Sequence, residues 1–247
     1  MAQVKPQVTL LKYTPDPEQT IALAAKLCYS DATIEDLKDG VESGDVSKFI
    51  ARLSSFGHMS PFEHASFTFG IEGVSRALLA QITRHRLASF SVKSQRYVAA
   101  GKNVDVFNYI IPPSIEALGE EAVKKYQDQM ATMQQWYNEW QGLLGGDCEK
   151  SNEDARFVLP NAAETKMVVT MNARELQHFF HLRCCNRAQW EIREVAWQML
   201  GLVLQVAPNI FCTSGPNCVA GACTEGAKCC GKAKEMREKQ QGLKNGQ

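Results

Sequence analysis

Hydrophobic and polar positions alternate along the first part of the chain in patterns typical of short strands and amphipathic helices. Residues 8–11 are mostly apolar and are followed by two prolines, which predicts a first strand. Residues 20–29 place apolar side chains on one helical face, and residues 46–56 predict a second helix that ends at Gly57 as a C-terminal glycine cap. Residues 66–71 alternate Phe and Ile with Ser, Thr and Gly, so a half-buried strand is expected there.

The middle of the chain predicts two longer helices with a loop between them. An apolar stripe at helical spacing predicts a helix over residues 74–87, and residues 94–98 then continue as an extended segment. Residues 99–114 are expected to form a loop. Residues 116–144 predict a long helix or helical pair, whose Met and aromatic stripe is typical of core or subunit packing.

The last third of the main region adds a strand and two helices. Residues 166–171 are β-branched and apolar, which predicts a buried strand. It leads into a helix over residues 172–183, and residues 188–206 predict another helix that ends before Pro208. Strands and helices mixed in this way indicate the α+β class.

The composition changes after residue 210. We expect one main domain over residues 1–210 and a C-terminal extension over residues 211–247, whose lysine-rich end is mobile. The extension holds five cysteines, and three interpretations stay open: a metal site with zinc as the first candidate, unliganded thiols, or a redox-active disulfide. The spacing between these cysteines is wider than in usual zinc sites. The candidate ligands are Cys212, Cys218, Cys223, Cys229 and Cys230.

The overall composition is that of an ordinary globular protein. Hydrophobic residues make up 45% and charged residues 22%, and 27 Lys+Arg balance 27 Asp+Glu. No global field would therefore attract nucleic acid or a membrane surface, and neither partner is expected. No run of 18 apolar residues and no signal-peptide pattern occurs, so a cytoplasmic protein is predicted. In that compartment the nine cysteines are expected to be thiols or metal ligands.

Residues 84–97 contain the strongest candidate for binding chemistry. Three cationic or cationisable side chains stand in a row at Arg84, His85 and Arg86, and Ser94 follows after seven residues. The rigid fork of donors on arginine matches phosphate and carboxylate oxygens two at a time. A solvated basic face is the alternative, but the run follows an apolar helix and contains Ser, Phe and Tyr. The pattern predicts a site for a phosphorylated small molecule.

A helix over residues 172–183 would offer donors on two faces. Arg174, His178 and His181 share one side through steps of four and three residues, whereas Arg183 points to the opposite side. The same helix is equally compatible with a structural role in which its polar side chains face water.

The RHR-x7-S pattern resembles the signature of the flavin-dependent thymidylate synthases, which make dTMP from dUMP with a reduced flavin and methylenetetrahydrofolate. Three further segments carry the same resemblance: HMSPFEH at residues 58–64, DARFVLP at 154–160, and NAR-x3-HF-x2-LR with AQWEIRE at 172–194. Together they cover roughly residues 8–210. The resemblance implies a single mixed α/β domain with an antiparallel-type sheet flanked by long helices.

The resemblance also implies roles for individual residues. Arg183 would lie against the uracil ring as the catalytic residue, and His58 would lie on the folate side of the flavin. Val92 departs from the pattern, because many members carry Glu or Gln there. The residues implied to bind FAD are Ser60, Arg84, His85, Arg86, Asn172, Ala173, Arg174 and His178. Those implied to bind dUMP are Gln81, Arg84, Ser94, Gln95, Arg96, Arg156 and Arg183.

Further expectations concern cofactors and partners. The resemblance implies FAD as cofactor, NADPH as reductant, 5,10-methylenetetrahydrofolate as co-substrate, and a homotetramer with shared flavin sites. The alternative function is a non-catalytic nucleotide- or RNA-binding module, in which Arg84, Arg86 and Arg96 clamp phosphates and Phe90 or Tyr97 stacks on bases. The balanced charge argues against this alternative, because such modules are usually basic.

Overall fold

The computed structural model describes residues 2–102 and 104–244. Their mixture of strands and helices confirms the α+β class. The strands are Gln7–Tyr13 (β1), Ser66–Ser75 (β2), Ala88–Val92 (β3) and Glu164–Asn172 (β4). The helices are Pro17–Leu27 (α1), Ile34–Glu42 (α2), Ser47–Ser55 (α3), Arg76–Ile82 (α4), Pro113–Glu116 (α5), Glu120–Leu143 (α6), Glu149–Ala155 (α7), Ala173–Arg183 (α8), Trp190–Val206 (α9), Asn217–Ala220 (α10) and Ala233–Lys244 (α11).

The strands form one antiparallel sheet in the order β1-β2-β4-β3. The expected alternation along β2 is confirmed, because Phe67, Phe69 and Ile71 are buried on one face while the residues between them are half-buried. On the other face of the same strand, the hydroxyls of Thr68 and Thr170 are 2.9 Å apart across the β2–β4 pair. A period of two thus separates an apolar core face from a polar face.

The described chain falls into two compact units. Unit 1 consists of residues 2–7, 71–84 and 91–168, without residue 103. Unit 2 consists of residues 8–70, 85–90 and 169–244.

Unit 1 has its own apolar core beneath helix α6. Phe107, Tyr109 and Met130 are buried together there. Gln134, also on α6, is buried but fully engaged: its side-chain oxygen accepts from the Phe107 N–H at 2.9 Å, and its amide nitrogen donates to the Ala100 carbonyl at 3.2 Å. The predicted Met and aromatic stripe of α6 therefore packs against residues 99–114 of unit 1, for which the sequence predicts a loop.

Unit 2 is built around a cluster of phenylalanines. The ring of Phe211 lies edge-on to the rings of Phe67, at 5.5 Å between centroids, and of Phe180, at 5.8 Å. Phe179 continues the cluster at 5.9 Å from Phe180. Edge-to-face pairs of this kind stabilise a core beyond the area they bury. Phe179 and Phe180 belong to α8, so the helix that carries several candidate site residues is anchored by its apolar side.

The helix predicted over residues 74–87 is shorter in the structure. Ser75 caps α4 by accepting a hydrogen bond from the Leu78 N–H at 3.0 Å, and the helix ends at Ile82. Residues 88–92 then form β3, where the alternation Ala-Ser-Phe-Ser-Val fits a strand better than a helix. The RHR motif therefore lies between α4 and β3, in a connection rather than on a helix.

The C-terminal extension is also more ordered than expected. Met236 on α11 is buried. Helix α11 also packs closely on α9 within unit 2, because a Cβ atom added at Gly201 of α9 would lie 3.2 Å from the Leu243 side chain of α11. Lys239 places its ammonium 4.7 Å from the Trp197 ring centroid. Within residues 2–102 and 104–244, no helix has the length and apolar character needed to cross a membrane.

Candidate active site

In unit 2, four of the predicted flavin-binding residues cap helix α8 or lie on it: Asn172, Ala173, Arg174 and His178. The Asn172 side chain accepts a hydrogen bond from the Glu175 N–H at 2.9 Å, which caps the helix and explains why it begins at residue 173. Ala173 is buried, whereas Arg174 and His178 are exposed. Arg174 and His178 therefore present polar groups outward from a helix whose other side is in the core.

A cavity of about 400 Å³ lies beside Arg174 in unit 2. Three of the predicted residues line it together: His58, Ser60 and Arg174. Ser60 begins the short 3₁₀ turn Ser60–His64, whose first turn contains Pro61, so the hydroxyl is held by a stiff backbone. Arg174 forms an ion pair with Glu63 of the same turn, at 2.5 Å between Nη1 and Oε1.

The side chains around this cavity fit a flavin nucleotide. The Arg174 guanidinium and the Ser60 hydroxyl are donors suited to phosphate oxygens. Ala25, Leu53 and Pro61 add apolar surface of the kind that an aromatic ring system requires. The volume lies within the range of small-molecule pockets.

His85 is held inside unit 2 rather than on its surface. Its Nδ1 is 2.9 Å from Oε1 of Glu175, and its Nε2 accepts a hydrogen bond from Nε of Arg183 at 3.1 Å. The ring also lies edge-on to Phe179, at 4.9 Å between centroids. Burial lowers the pKa of His85, and the positive charge of Arg183 acts in the same direction. The hydrogen bond to Glu175 opposes this shift without reversing it.

The two arginines that flank His85 are exposed and belong to different units, Arg84 to unit 1 and Arg86 to unit 2. Among the described residues, neither has a carboxylate within ion-pair distance in its own unit. Both guanidinium groups are therefore suited to binding an anion from outside the chain.

Unit 1 brings together several residues predicted to bind dUMP. The Ser94 hydroxyl accepts a hydrogen bond from the Arg96 N–H at 3.2 Å. Arg96 itself is paired with two carboxylates of the α7 region: Nη2 lies 2.5 Å from Oε1 of Glu149, and Nε lies 2.6 Å from Oε2 of Glu153. The second contact is an ion pair that is not aligned as a hydrogen bond. Arg96 Nε therefore has no hydrogen-bond partner among the described residues.

The other predicted dUMP residues of unit 1 are less closely grouped. Arg156 follows α7 directly and donates from Nε to the Glu153 carbonyl at 3.0 Å. Gln81 is near the end of α4, where its amide contacts the Ala77 carbonyl at 3.5 Å. Gln95 lines a separate cavity of about 190 Å³, together with Arg76. Burial lowers the pKa of Arg76, and the positive charge of Arg156 adds to the effect.

The cysteines of the extension do not converge on a metal site. Within the described ranges, no three His, Cys, Asp or Glu side chains are grouped so that they could hold a metal ion. Cys212 is half-buried. Cys218 is buried, and burial raises the pKa of its thiol. Cys230 instead accepts a hydrogen bond from Asn186 at 3.6 Å. The zinc hypothesis gains no support from this arrangement.

Sequence reasoning missed the acidic partners of the predicted basic residues. Glu175 contacts His85, Glu63 contacts Arg174, and Glu149 and Glu153 contact Arg96. Glu175 could have been suspected, since it falls on the apolar side of α8 together with Leu176 and Phe179. The other pairings join residues that are distant in sequence and carry no local signal.

Comparisons with known proteins identify the family of this chain. The family model described as thymidylate synthase complementing protein matches residues 9–209. A flavin-dependent thymidylate synthase of Clostridium tetani is 50% identical over 244 residues, covering 94% of this chain and 96% of that protein. One of Geobacter sulfurreducens is 51% identical over 231 residues, with the same coverage.

A solved structure shows the same fold at lower identity. The UMP/dUMP methylase PolB from Streptomyces cacaoi, bound with 5-Br dUMP, superposes with a TM-score of 0.70 at 24% identity, covering 87% of this chain and 98% of that one. The sequence matches define an enzyme of the methyltransferase class. The chain belongs to the flavin-dependent thymidylate synthase family.

Proposed function

We propose that this enzyme makes dTMP from dUMP with 5,10-methylenetetrahydrofolate as carbon donor, reduced FAD as hydride carrier and NADPH as reductant. The observation that carries the proposal is the contact between His85 and Arg183, which holds a permanently charged guanidinium at the end of α8. The names of the 50%-identical relatives support the flavin and the product. We further propose a cytoplasmic homotetramer with shared flavin sites, on the basis of the family resemblance.

The flavin side is assigned to residues of unit 2, with Arg84 as the exception. Arg174 and Ser60 would donate to FAD phosphates or ring oxygens from the cavity that they line, and His58 would lie where the folate enters. Bound FAD would supply the hydride, and the protein would supply orientation and electrostatics. The remaining residues assigned to FAD are Arg84, His85, Arg86, Asn172, Ala173 and His178.

Most of the residues assigned to dUMP belong to unit 1, whereas Arg183 belongs to unit 2. Arg96 and Arg156 would bind the dUMP phosphate, and Ser94 would complete the phosphate contacts. Arg96 is already paired with Glu149 and Glu153, so the phosphate must replace these carboxylates as the partner of its guanidinium. Gln81, Arg84 and Gln95 are the further residues assigned to dUMP.

Arg183 is assigned the catalytic role at the uracil ring. A guanidinium next to N3 favours the ionised form of the pyrimidine, which makes its reacting carbon more electron-rich. Arginine suits this task because it does not lose its proton in proteins and its planar fork can contact two atoms at once.

We also propose that residues 1–210 form the catalytic part and residues 211–247 an extension. The end of the family match at residue 209 supports this division.

Substitution of Arg183 tests the proposed function. Arg183→Ala should reduce dTMP formation at least about 100-fold, the scale seen when one charge-stabilising donor is removed. FAD should remain bound, because the side chains of Ser60 and Arg174, which line the cavity assigned to the flavin, are unchanged in this variant. Arg183→Lys should restore little, because an ammonium cannot reproduce the planar fork.

The assay measures dTMP after incubation with dUMP and methylenetetrahydrofolate, normalised to bound flavin. Arg187→Ala is the matched control, since Arg187 is an exposed arginine just after α8 whose partner is Glu225. Near-parental turnover of Arg183→Ala would contradict the assigned role.

A further inference from the structure

Three polar side chains of unit 2 form a continuous chain through the interior. Glu175 contacts Nδ1 of His85 at 2.9 Å, and Nε2 of His85 contacts Nε of Arg183 at 3.1 Å. Glu175 and His85 are each only 5% exposed. Charged and polar groups with so little access to water are stable only when their hydrogen bonds are made within the protein.

The chemistry of Arg183 decides which tautomer His85 adopts. A guanidinium N–H can only donate, so Nε2 of His85 must be the unprotonated, accepting nitrogen. The single proton of the neutral ring is then on Nδ1, where it is donated to the Glu175 carboxylate. Removing that acceptor would leave a buried N–H without a partner, which is unfavourable. The ring could avoid this only by moving the proton to Nε2, where it would oppose the Arg183 N–H.

The contact also fixes how Arg183 presents its charge. Guanidinium is planar, so holding Nε in one hydrogen bond defines the plane in which both Nη groups lie. Arg183 ends α8, where helix geometry alone constrains a long side chain weakly.

We propose that Glu175 is a positioning residue which, acting through the Nδ1–H tautomer of His85, fixes the guanidinium of Arg183 in its catalytic orientation. The inference rests on the proposed function, in which Arg183 faces the uracil ring. It adds a residue that the family signature does not contain, and it gives His85 a role inside the protein in addition to any flavin contact.

The first test compares two substitutions of Glu175 with a control on the same helix. Glu175→Ala removes the acceptor, and kcat per bound flavin should fall about 10- to 100-fold, as expected when a catalytic group is misoriented. Glu175→Gln keeps an accepting oxygen, and kcat should stay within about threefold of the parent. The control is Gln177→Ala, which deletes a hydrogen bond from α8 to the Ile210 carbonyl at 2.8 Å.

A merely structural role for Glu175 predicts a different pattern. Glu175→Ala and Gln177→Ala would then both reduce the yield of flavin-bound protein while kcat per flavin stayed constant. That result would overturn the proposal. A loss of kcat in Glu175→Ala, with rescue in Glu175→Gln and parental kcat in Gln177→Ala, supports it.

The pH profile gives a second readout that does not depend on the Ala variant folding. The charged and titratable groups that face the His85 ring in unit 2 are Glu175, His178 and Arg183, all on α8. Protonation of His85 destroys the acceptor for Arg183, so kcat should fall at acidic pH. Without the Glu175 charge the imidazolium is less favoured, and in Glu175→Gln this acidic limb should move to lower pH. An unchanged limb would overturn the proposal.

The tautomer itself can be observed without any activity. The chain has five histidines, and ¹⁵N shifts of histidine-labelled protein in the solid state distinguish Nδ1–H from Nε2–H rings. The parent should show one Nδ1–H ring that His85→Gln removes and Glu175→Ala changes. If the parent made no dTMP but showed this signal, the proposed function would fail and the positioning contact would stand. If dTMP formed and the signal were absent, the contact would fail alone.

Discussion

At the scale of single residues, the arginines of the chain differ in what already binds them. Arg96 and Arg174 are paired with glutamates, at 2.5 Å in each case, and both pairs are partly exposed. Exposed pairs of this kind contribute little to stability and exchange readily with other anions. Arg183 differs, because its contact with His85 is part of a buried chain that ends on Glu175.

The buried position of His85 predicts a loss of stability in acid. Burial holds the pKa of His85 below its usual value near 6.5. As the pH falls below about 6.5 the unfolded chain gains a proton that the folded protein resists, so the free energy of unfolding decreases. Above that pH the contribution of His85 is fully present. Urea titrations from pH 7.5 to 5.0 measure this dependence.

His85→Gln isolates the contribution of His85 to that dependence. The amide can still donate to Glu175 and accept from Arg183, but it cannot gain a proton. The variant should therefore show a shallower pH dependence than the parent. The remaining slope is expected from His181, whose pKa is also lowered by burial. Equal slopes in the two proteins would contradict the neutral, buried state of His85.

The sequence supplies candidate basic residues, but it does not predict which side chains hold them. The RHR motif singled out His85, but the partner Glu175 is 90 positions further along the chain. No local periodicity connects two residues at that distance, because the contact exists only once α8 is packed in unit 2. The grouping of His58, Ser60 and Arg174 around one cavity depends on tertiary structure in the same way.

At the scale of elements, strongly periodic segments were predicted well and boundaries less well. The helices over residues 46–56, 172–183 and 188–206 correspond closely to α3, α8 and α9. The helix expected to continue through the RHR motif ends at Ile82 instead. The apolar stripe of this helix contains no residue that would end a helix. Only the alternation of residues 88–92 indicates that a strand, β3, follows. Helix α2 was not predicted, although Ile34, Leu37 and Val41 follow helical spacing; Val41 is its one buried residue.

Helix α11 gives a prediction at this scale, since the sequence predicts that the lysine-rich end is mobile. Met236 is buried, and Met236→Ala should lower the free energy of unfolding by about 2 kcal/mol, the low end for removing a buried methionine side chain. Lys234→Ala is the control, because Lys234 is an exposed residue of the same helix. Urea unfolding measures both. A Met236→Ala effect as small as that of Lys234→Ala would indicate that α11 does not stabilise unit 2.

At the scale of the whole molecule, the family match and the site assignments have different extents. The match over residues 9–209 includes every residue proposed to bind FAD or dUMP. The cysteine-rich segment lies after the matched residues, so the family motifs assign no role to this segment. Composition left a metal site, unliganded thiols or a redox-active disulfide open there, and the described cysteines form no group of three that could hold an ion. Cysteines that are close together in the sequence are therefore weaker evidence for a metal site than ligands that lie close together in the structure.

Formation of dTMP by the purified protein tests the proposed activity directly. The protein is reduced anaerobically with NADPH in the presence of FAD, then mixed with dUMP and methylenetetrahydrofolate, and the nucleotides are separated by chromatography. We expect a yellow protein as purified, reoxidation of its flavin that requires both substrates, and dTMP in amounts that match the flavin turned over. A colourless protein that binds dUMP, or a flavin that reoxidises without forming dTMP, would contradict it.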